Sequence, residues 1–420
     1  MPASNQKILT SAAALMTLGP DFKFVTRVFR NGSVTDGVLQ GDLIVQGQGD
    51  PTFYTKFYND STDPFRNWAK KLSDAGIKRI EGRVIGDDDH FEDASFGHGW
   101  SLNYLDTWYA VETGALQFNE NYLDLRIAPP ATANGKVEIT PNVASNYYQI
   151  VDQTRLSATE PNSVRISRPF GSNVITVSGV VKAGTPPFER SPSIGNPTLF
   201  FATVLREVLI SEGIQVTGEA VDCDTLENWS FRPENSTLLV SHDSPPLSEI
   251  LRGLMKRSQN LYAETLVKTL GLESTGLGSF AAGKAVVQDR LEEMGIDSAT
   301  YAFMDGSGLT RYNFVSPRQL VTILEHMRES EHGKLWKSLL PIGGVDGTLR
   351  NRMKGTAAAG KVLAKTGTIS NVRCLSGYVT TADGEELVFS FMLNGHLLSS
   401  RNADAVTDKV LSLLAEYSSP

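Results

Sequence analysis

The sequence predicts an α/β fold in which a helix-and-strand domain is interrupted by a long β-rich insertion. Three observations lead to this prediction. A helical pattern opens the chain at residues 4–18, and from about residue 22 to 225 short alternating runs are separated by Gly, Pro, Asn and Asp, as is typical of strands and turns. Helical patterns return after residue 247, followed by strands beyond Gly360 and a closing helix. We therefore expect residues 1–22 and 226–420 to form one discontinuous domain around an insertion at 23–225.

The opening helix rests on an apolar stripe of Ile8, Leu9, Ala12, Leu15 and Met16, with Ser4 as its expected N-cap. Two further helical patterns, Phe65–Gly76 and 197–213, fall within the insertion. The strands expected there are Phe24–Phe29, Leu43–Gln46, Arg83–Gly86, Leu123–Ile127, Lys136–Ile139, Tyr148–Val151 and Ser163–Ile166.

The C-terminal part begins with a strong helical pattern over 247–272, which fits either a helix pair or one bent helix. Further helices are expected at Lys284–Met294, Pro317–Arg328, Gly333–Leu340 and Ala403–Tyr417. The expected strands are Lys361–Thr368, Cys374–Thr381 and Leu387–Asn394, with Asp383-Gly384 marking a hairpin turn between the last two.

Composition narrows the class of protein. The 420 residues are 40% hydrophobic and 20% charged, as in an ordinary globular protein. A net charge of −8 argues against a nucleic-acid partner, and no apolar run is long enough to predict a transmembrane segment. Cys223 and Cys374 match no metal or redox spacing and are expected to be buried and inert, although a disulfide between them stays open.

The first residues, Met1-Pro2-Ala3, lead straight into a serine motif without a basic, apolar signal segment. Taken literally, this start predicts a cytoplasmic protein. The alternative is that the recorded start omits an upstream piece.

Ser4-Asn5-Gln6-Lys7 is a Ser-x-x-Lys motif at a helix start. Residues three apart share a helix face, so the amine of Lys7 is expected to reach the hydroxyl of Ser4. Serine is a weak nucleophile until a base takes its proton, and the helix N-terminus favours the developing alkoxide. Lys7 can be that base only if burial or a nearby cation lowers its pKa, and Lys365 is the candidate cation.

Lys365-Thr366-Gly367-Thr368 ends an apolar strand near the C-terminus. Lys365 is expected to attract a substrate carboxylate, and glycine in a strand permits the close approach of a ligand or another backbone. The backbone N–H groups of Thr368 and Ser4 are expected to form an oxyanion hole. The alternative is an ordinary polar strand end.

Ser-x-Asn occurs three times, at 101–103, 258–260 and 400–402. We choose Ser258-Gln259-Asn260 because it lies between helical segments and precedes the Lys-Thr-Gly strand. There Ser258 is expected to relay a proton to the leaving amine and Asn260 to hold the substrate amide.

Other motifs support weaker interpretations. Asp87-Asp88-Asp89-His90 suggests a metal site, but no second ligand cluster has a supporting spacing, so a solvated turn is favoured. Asp305-Gly306-Ser307-Gly308 is expected to be a loop, either beside the active site or merely turning the chain. A Gly-x-Ser-x-Gly elbow is absent, which disfavours a Ser-His-Asp hydrolase.

With these motifs the chain resembles the D-alanyl-D-alanine carboxypeptidase/endopeptidase group, the class C low-molecular-weight penicillin-binding proteins. The resemblance covers nearly the whole chain. Beyond the three catalytic motifs it is carried by Gly41-Asp42-Leu43, Gly49-Asp50-Pro51, Glu81–Asp87, His242–Leu247, Leu261–Glu264, Asp305–Leu309 and Gly344–Leu349.

The resemblance implies a penicillin-recognising transpeptidase/β-lactamase-like domain whose insertion folds as two β-rich subdomains. It implies a serine D,D-peptidase, without metal or organic cofactor, that acts on peptidoglycan stem peptides in the periplasm or elsewhere outside the cytoplasm. Ser4 would form the acyl-enzyme, Lys7 deprotonate it, and Ser258 with Lys365 pass the proton to the leaving group. Asn260, Thr366, Gly367 and Thr368 would bind the substrate, and β-lactams would acylate Ser4.

The chain departs from the family pattern in one respect, because an export signal and a strand pair are expected ahead of the serine motif. Without that pair, Leu387–Asn394 is expected to present an unpaired apolar edge. Two rival functions stay open, namely a β-lactamase on the same fold and a truncated, non-catalytic cell-wall binding protein.

Overall fold

The computed structural model describes residues 1–132 and 134–419 and has the predicted mixed α/β character. The chain divides into two compact units. Unit 1 comprises Met1–Lys23, Gly97–Trp100 and Pro245–Pro420, and unit 2 comprises Phe24–Phe96 and Ser101–Ser244. The predicted division at 22/23 and 225/226 stays a prediction.

Helices occur in both units. They are α1 (Gln6–Leu18), α2 (Asp63–Asp74), α3 (Pro197–Ser211), α4 (Leu247–Arg257), α5 (Asn260–Thr275), α6 (Phe280–Glu293), α7 (Pro317–Glu329), α8 (Gly333–Leu339) and α9 (Ser400–Glu416). Among residues 1–132 and 134–419, no helix combines the length and the hydropathy that crossing a membrane requires.

Most strands lie in unit 2. The strands are β1 (Val25–Thr35), β2 (Val38–Gln46), β3 (Arg79–Ile80), β4 (Val84–Asp87), β5 (Leu125–Ala128), β6 (Glu138–Pro141), β7 (Gln149–Ser157), β8 (Arg165–Ser167), β9 (Val174–Lys182), β10 (Phe188–Arg190), β11 (Gln215–Val216), β12 (Ala220–Asp222), β13 (Thr237–Asp243), β14 (Val362–Ile369), β15 (Val372–Thr380) and β16 (Glu386–Asn394).

Helix α1 is the central helix of unit 1. Residues 6–15 are all buried, and the helix contacts α4, α5, α6 and α7. The small side chains of Ala12, Ala13 and Ala14 allow close packing, and a helix covered on all sides no longer needs a polar face. The first turns of α1 are therefore held rigidly inside unit 1.

Helices α4 and α5 form the predicted pair, separated by a sharp break rather than a bend. Ser258 adopts a left-handed backbone conformation, with φ of 63°, at the end of α4. Helix α5 then begins at Asn260. The break places Ser258 at the end of α4 and Asn260 in the first turn of α5.

The sheet of unit 1 is antiparallel, in the order β14-β15-β16. Lys365 pairs with Ser376 and Gly367 with Cys374 across the first two strands. The predicted hairpin turn at Asp383-Gly384 joins the last two strands, with Gly384 at φ of 91°. Within residues 1–132 and 134–419, β16 pairs with β15 alone.

Unit 2 contains a seven-stranded mixed sheet and two three-stranded sheets. The longest path of the large sheet is β11-β3-β2-β1-β13, with β4 beside β2 and β12 beside β4. The core of this unit contains an aromatic cluster whose rings make T-shaped, tilted and stacked contacts. Its members are Phe53, Phe65, Trp68, Phe118 and Phe201. The alternating pattern missed β3, β9, β10, β11, β12 and β13, and β13 pairs with β1 inside this unit.

Two local predictions were wrong. Ser4 is not a helix cap, because it lies in a 3-10 turn (Ala3–Asn5) and α1 begins at Gln6 without a side-chain cap. The run from Asp87 to His90 is not wholly solvated, since Asp87 ends β4 and is buried. Both cysteines are buried and free, as expected.

Candidate active site

The turn that carries Ser4 is fixed by close backbone contacts within unit 1. Ala3 has φ of 48°, a left-handed conformation that is costly for a residue with a side chain. An added Cβ at Gly367 would lie 2.6 Å from the Pro2 carbonyl oxygen, and one at Gly308 would lie 1.8 Å from that of Ala3. Glycine at both positions therefore lets β14 and a second loop press against the turn.

Lys7 is fully buried, and its amine contacts three oxygen atoms. The Lys7 Nζ lies 2.9 Å from Ser4 Oγ, 2.6 Å from Asn260 Oδ1 and 2.6 Å from the backbone oxygen of Ser307. The spacing of Ser-x-x-Lys accounts for the first contact, because residues three apart share a helix face. The other two come from α5 and from the loop after α6.

Burial is the main cause of the altered proton affinity of Lys7. It lowers the pKa of Lys7 to about 7, while the negative charges of Asp305 and Glu264 act in the opposite direction. A buried amine with a pKa near neutrality is half deprotonated at pH 7, as a general base requires. The sequence predicts burial or the nearby cation Lys365 as the cause of a lowered pKa, and burial is the cause observed.

Lys365 is the second buried amine of the site. Its Nζ donates to Ser258 Oγ at 2.8 Å and to the backbone oxygen of Thr366 at 2.8 Å. Burial lowers the pKa of Lys365 well below its ordinary value, and the positive charge of Lys7 lowers it further. The two lysines are therefore electrostatically linked.

Strand β14 presents the remaining predicted residues. Thr366 Oγ1 donates to Thr348 Oγ1 at 2.8 Å, and Thr368 is exposed. On the neighbouring side, the Asn5 amide donates to Ser376 Oγ of β15 at 2.6 Å. The serine turn thus contacts β15 through the Asn5 side chain and the Lys-Thr-Gly strand through the close backbone approach at Gly367.

The loop Asp305–Gly308 completes the surroundings of Lys7. The Asp305 carboxylate accepts hydrogen bonds from the backbone N–H groups of Gly308 and Thr310, both at 2.7 Å, and from the Asn313 amide at 2.6 Å. Trp100 Nε1 donates to the same carboxylate at 2.9 Å. Of the two interpretations made for this motif, the loop beside Lys7 is the observed one.

Hydrogen bonds join six of the predicted residues in two groups: Ser4, Lys7 and Asn260 in one, and Ser258, Lys365 and Thr366 in the other. The sequence interpretation assigned no role to Glu264, Ser307 or Thr348. A backbone carbonyl has no sequence signature, but the spacing of Asn260 and Glu264, four residues apart on one helix, was an available signal.

One cluster of side chains of the kinds that bind metal ions lies outside the residues described above. In unit 2, ligand atoms of Asp88, Asp222, Cys223 and Asp224 lie within 4.8 Å of one another. The sequence missed this grouping because β4 and β12 pair in space although far apart in the chain. Thr198 and Asn196 donate to two of the carboxylates, and we assign the cluster no ligand.

A serine at the start of a buried helix, with a lysine one turn on and a second lysine on the facing strand, defines the penicillin-recognising serine enzymes. The model of the D-Ala-D-Ala carboxypeptidase 3 (S13) family matches residues 1–417. The chain therefore belongs to this family, and its activity is that of a serine-type D-Ala-D-Ala carboxypeptidase.

Individual relatives agree. The chain is 33% identical to a D-alanyl-D-alanine carboxypeptidase of Actinomadura, over 99% of this chain and 77% of the relative. It is similar to the crystal structure of penicillin binding protein 4 from Haemophilus influenzae, with a TM-score of 0.83, 28% identity and coverage of 99% and 91%. A second structure of that protein, in complex with a β-lactam, gives a TM-score of 0.76 at 26% identity, with coverage of 99% and 91%.

Proposed function

We propose that this carboxypeptidase removes the terminal D-alanine of peptidoglycan stem peptides, or cuts their D-amino-acid cross-links, through an acyl-enzyme on Ser4. The observation that carries the proposal is the contact of 2.9 Å between the buried Lys7 amine and the Ser4 hydroxyl. The lowered pKa of Lys7 supports its role as the base.

In the acylation step, Ser4 Oγ attacks the carbonyl carbon of the scissile bond and its proton passes to Lys7. The C–N bond then breaks, and the proton taken up by Lys7 is passed to the leaving amine through Lys365 and Ser258, whose hydroxyl is 2.8 Å from the Lys365 amine. Water next cleaves the ester, releasing the shortened peptide and restoring the Ser4 hydroxyl.

Substrate binding is assigned to Asn260 and to the strand residues Thr366, Gly367 and Thr368. Exposed Thr368 offers its backbone N–H, with that of Ser4, as the oxyanion hole. The terminal carboxylate of the substrate is assigned to Lys365, because the negative charge of a bound carboxylate favours the protonated form of this amine against the effect of burial. Because a β-lactam presents the same carboxylate and a reactive amide, it acylates Ser4 in this account.

Stem peptides are cell-wall material, so the proposed place of action is outside the cytoplasm, such as the periplasm. The relatives named as carboxypeptidases support this placement. The chain's own route to that compartment is part of the proposal.

The test incubates the protein with a fluorescent penicillin and, separately, with a stem pentapeptide ending in D-Ala-D-Ala. Covalent labelling and release of free D-alanine are expected, and both are lost in Ser4→Ala. Rapid loss of the label without release of D-alanine from the pentapeptide would indicate a β-lactamase instead. A folded protein that binds peptidoglycan but takes up no label would contradict the proposal.

A further inference from the structure

The direction of the Lys7 lone pair depends on two acceptors. A neutral primary amine has two N–H groups and one lone pair. The side-chain oxygen of Asn260 and the backbone oxygen of Ser307, each 2.6 Å from Lys7 Nζ, take both N–H groups. The lone pair is then left for the Ser4 hydroxyl at 2.9 Å. The position of the Ser307 carbonyl therefore helps to aim the base.

The Ser307 carbonyl lies in the 307–308 peptide, whose Gly308 N–H donates to Asp305 at 2.7 Å. Glu264 holds the two peptides that precede this one in the loop. Its Oε1 accepts the Ser307 N–H at 2.8 Å and its Oε2 accepts the Gly306 N–H at 3.0 Å, so each carboxylate oxygen fixes one peptide of the loop. Thr10 of α1 donates to the Gly306 carbonyl at 2.7 Å from the other side. Glu264 lies one turn after Asn260 on α5, so one helix face positions both acceptors of Lys7.

We propose that Glu264 is a positioning residue that acts through the loop 305–308. It fixes the two peptides before the Ser307 carbonyl, so that this carbonyl stays where it turns the Lys7 amine toward Ser4. Glu264 touches neither the nucleophile nor the substrate in this account. The inference rests on the proposed function, because it takes Lys7 to be the base that acts on Ser4.

Charge gives Glu264 a second effect on the same amine. Lys7 faces the carboxylates of Glu264 and Asp305, and both raise its pKa against the effect of burial. The other buried cations nearby are Lys365 of β14 and Lys268, one turn further along α5. Burial, followed by the charge of Asp305, raises the pKa of Glu264 itself, and hydrogen bonds from Ser307 and Gly306 favour its ionised form.

Two substitutions separate position from charge. Glu264→Gln keeps the shape but offers one oxygen and an NH₂ group, so one loop N–H loses its acceptor and the negative charge is lost. Glu264→Asp keeps the charge and both oxygens on a side chain shorter by one methylene. Glu273→Gln, an exposed residue of the same helix, is the matched control.

The experiment measures the second-order rate of acylation by a fluorescent penicillin from pH 5 to 9, on full-length protein whose folding is checked by circular dichroism. For Glu264→Gln we expect a maximal rate about 10- to 100-fold lower, as displaced catalytic groups produce. The rising limb of its profile of acylation rate against pH should lie at lower pH. Loss of the negative charge destabilises the Lys7 ammonium and so lowers the pKa of Lys7. Glu264→Asp should be slower with the limb in place, and Glu273→Gln should match the unsubstituted protein.

The experiment distinguishes failure of the positioning role of Glu264 from failure of the proposed function. If the unsubstituted protein is not acylated, the role of Lys7 and Ser4 is wrong. If it is acylated, a Glu264→Gln profile that superimposes on that of the unsubstituted protein overturns the positioning role. A lower profile with an unmoved limb supports the positioning role and overturns the separate effect of the Glu264 charge. Should Glu264→Gln not fold, Glu264→Asp decides, and a rate equal to that of the unsubstituted protein across the pH range overturns the inference.

Discussion

At the scale of single residues, the chemistry depends on an amine that must lose its proton near neutrality. Lys7 meets this requirement because it is fully buried, which disfavours the charged form, although two carboxylates act in the opposite sense. Three oxygen atoms surround its Nζ, so the amine is positioned before substrate arrives.

Removing this amine tests its role. We expect Lys7→Ala to lower the rate of acylation by a fluorescent penicillin by about 10²- to 10⁴-fold or more, since general bases contribute this much. Lys409→Ala, on the exposed face of α9, is the control and should react like the unsubstituted protein. An unchanged rate in a folded Lys7→Ala variant would remove Lys7 from the mechanism.

The pH dependence follows from the same pKa. Below about 7 Lys7 is protonated and cannot accept the Ser4 proton, so the rate of acylation should rise as the pH increases through this value. Stopped-flow fluorescence with a labelled penicillin from pH 5 to 9 measures this limb. A rate that is flat between pH 5 and 9, in protein that stays folded, would be inconsistent with a lysine base.

At the scale of elements, the sequence predicted the helices and strands that have a regular hydrophobic periodicity. It missed the features that depend on tertiary contacts. The periodicity of α7 and β14 is local, and both were placed within one or two residues of their observed bounds. The left-handed Ala3, the Ser307 carbonyl and the pairing of β13 with β1 depend on segments distant in the chain. No local pattern encodes such contacts.

The serine turn offers a test at this scale. Gly308 has φ of 84°, and an added Cβ would lie 1.8 Å from the Ala3 carbonyl oxygen; Gly276 has φ of 83° with nothing within 4 Å. Both alanine substitutions should lose about 1–2 kcal/mol from the left-handed backbone. Only Gly308→Ala should lose about 1–3 kcal/mol more from the clash and become slower in acylation.

The measurements are the free energy of unfolding by denaturant and the rate of acylation. Gly276→Ala should retain the acylation rate of the unsubstituted protein. Equal effects of the two substitutions on both quantities would mean that the contact between the loop and the serine turn is unimportant.

At the scale of the whole molecule, each unit has its own core, and unit 2 depends on its aromatic cluster. Phe65 is fully buried and its ring lies 4.8 Å from that of Phe201 and 5.1 Å from that of Phe118. The sequence predicted a helix at Phe65–Gly76, but the clustering of rings from separate segments required the structure.

Phe65→Ala should therefore destabilise the protein by about 3–5 kcal/mol, the usual cost of a large cavity. Phe170, whose surface is 72% exposed in the same unit, is the matched control, and its alanine variant should change stability by no more than about 0.5 kcal/mol. Denaturant unfolding followed by tryptophan fluorescence gives both values. Similar losses for the two variants would contradict the assigned core.

The most direct test of the central claim is intact-protein and peptide mass spectrometry after incubation with a penicillin. The account predicts one covalent adduct per chain, with the mass of the intact β-lactam, on the peptide that contains Ser4, and no adduct in Ser4→Ala. An adduct on a different residue, or a folded protein that stays unmodified, would contradict it.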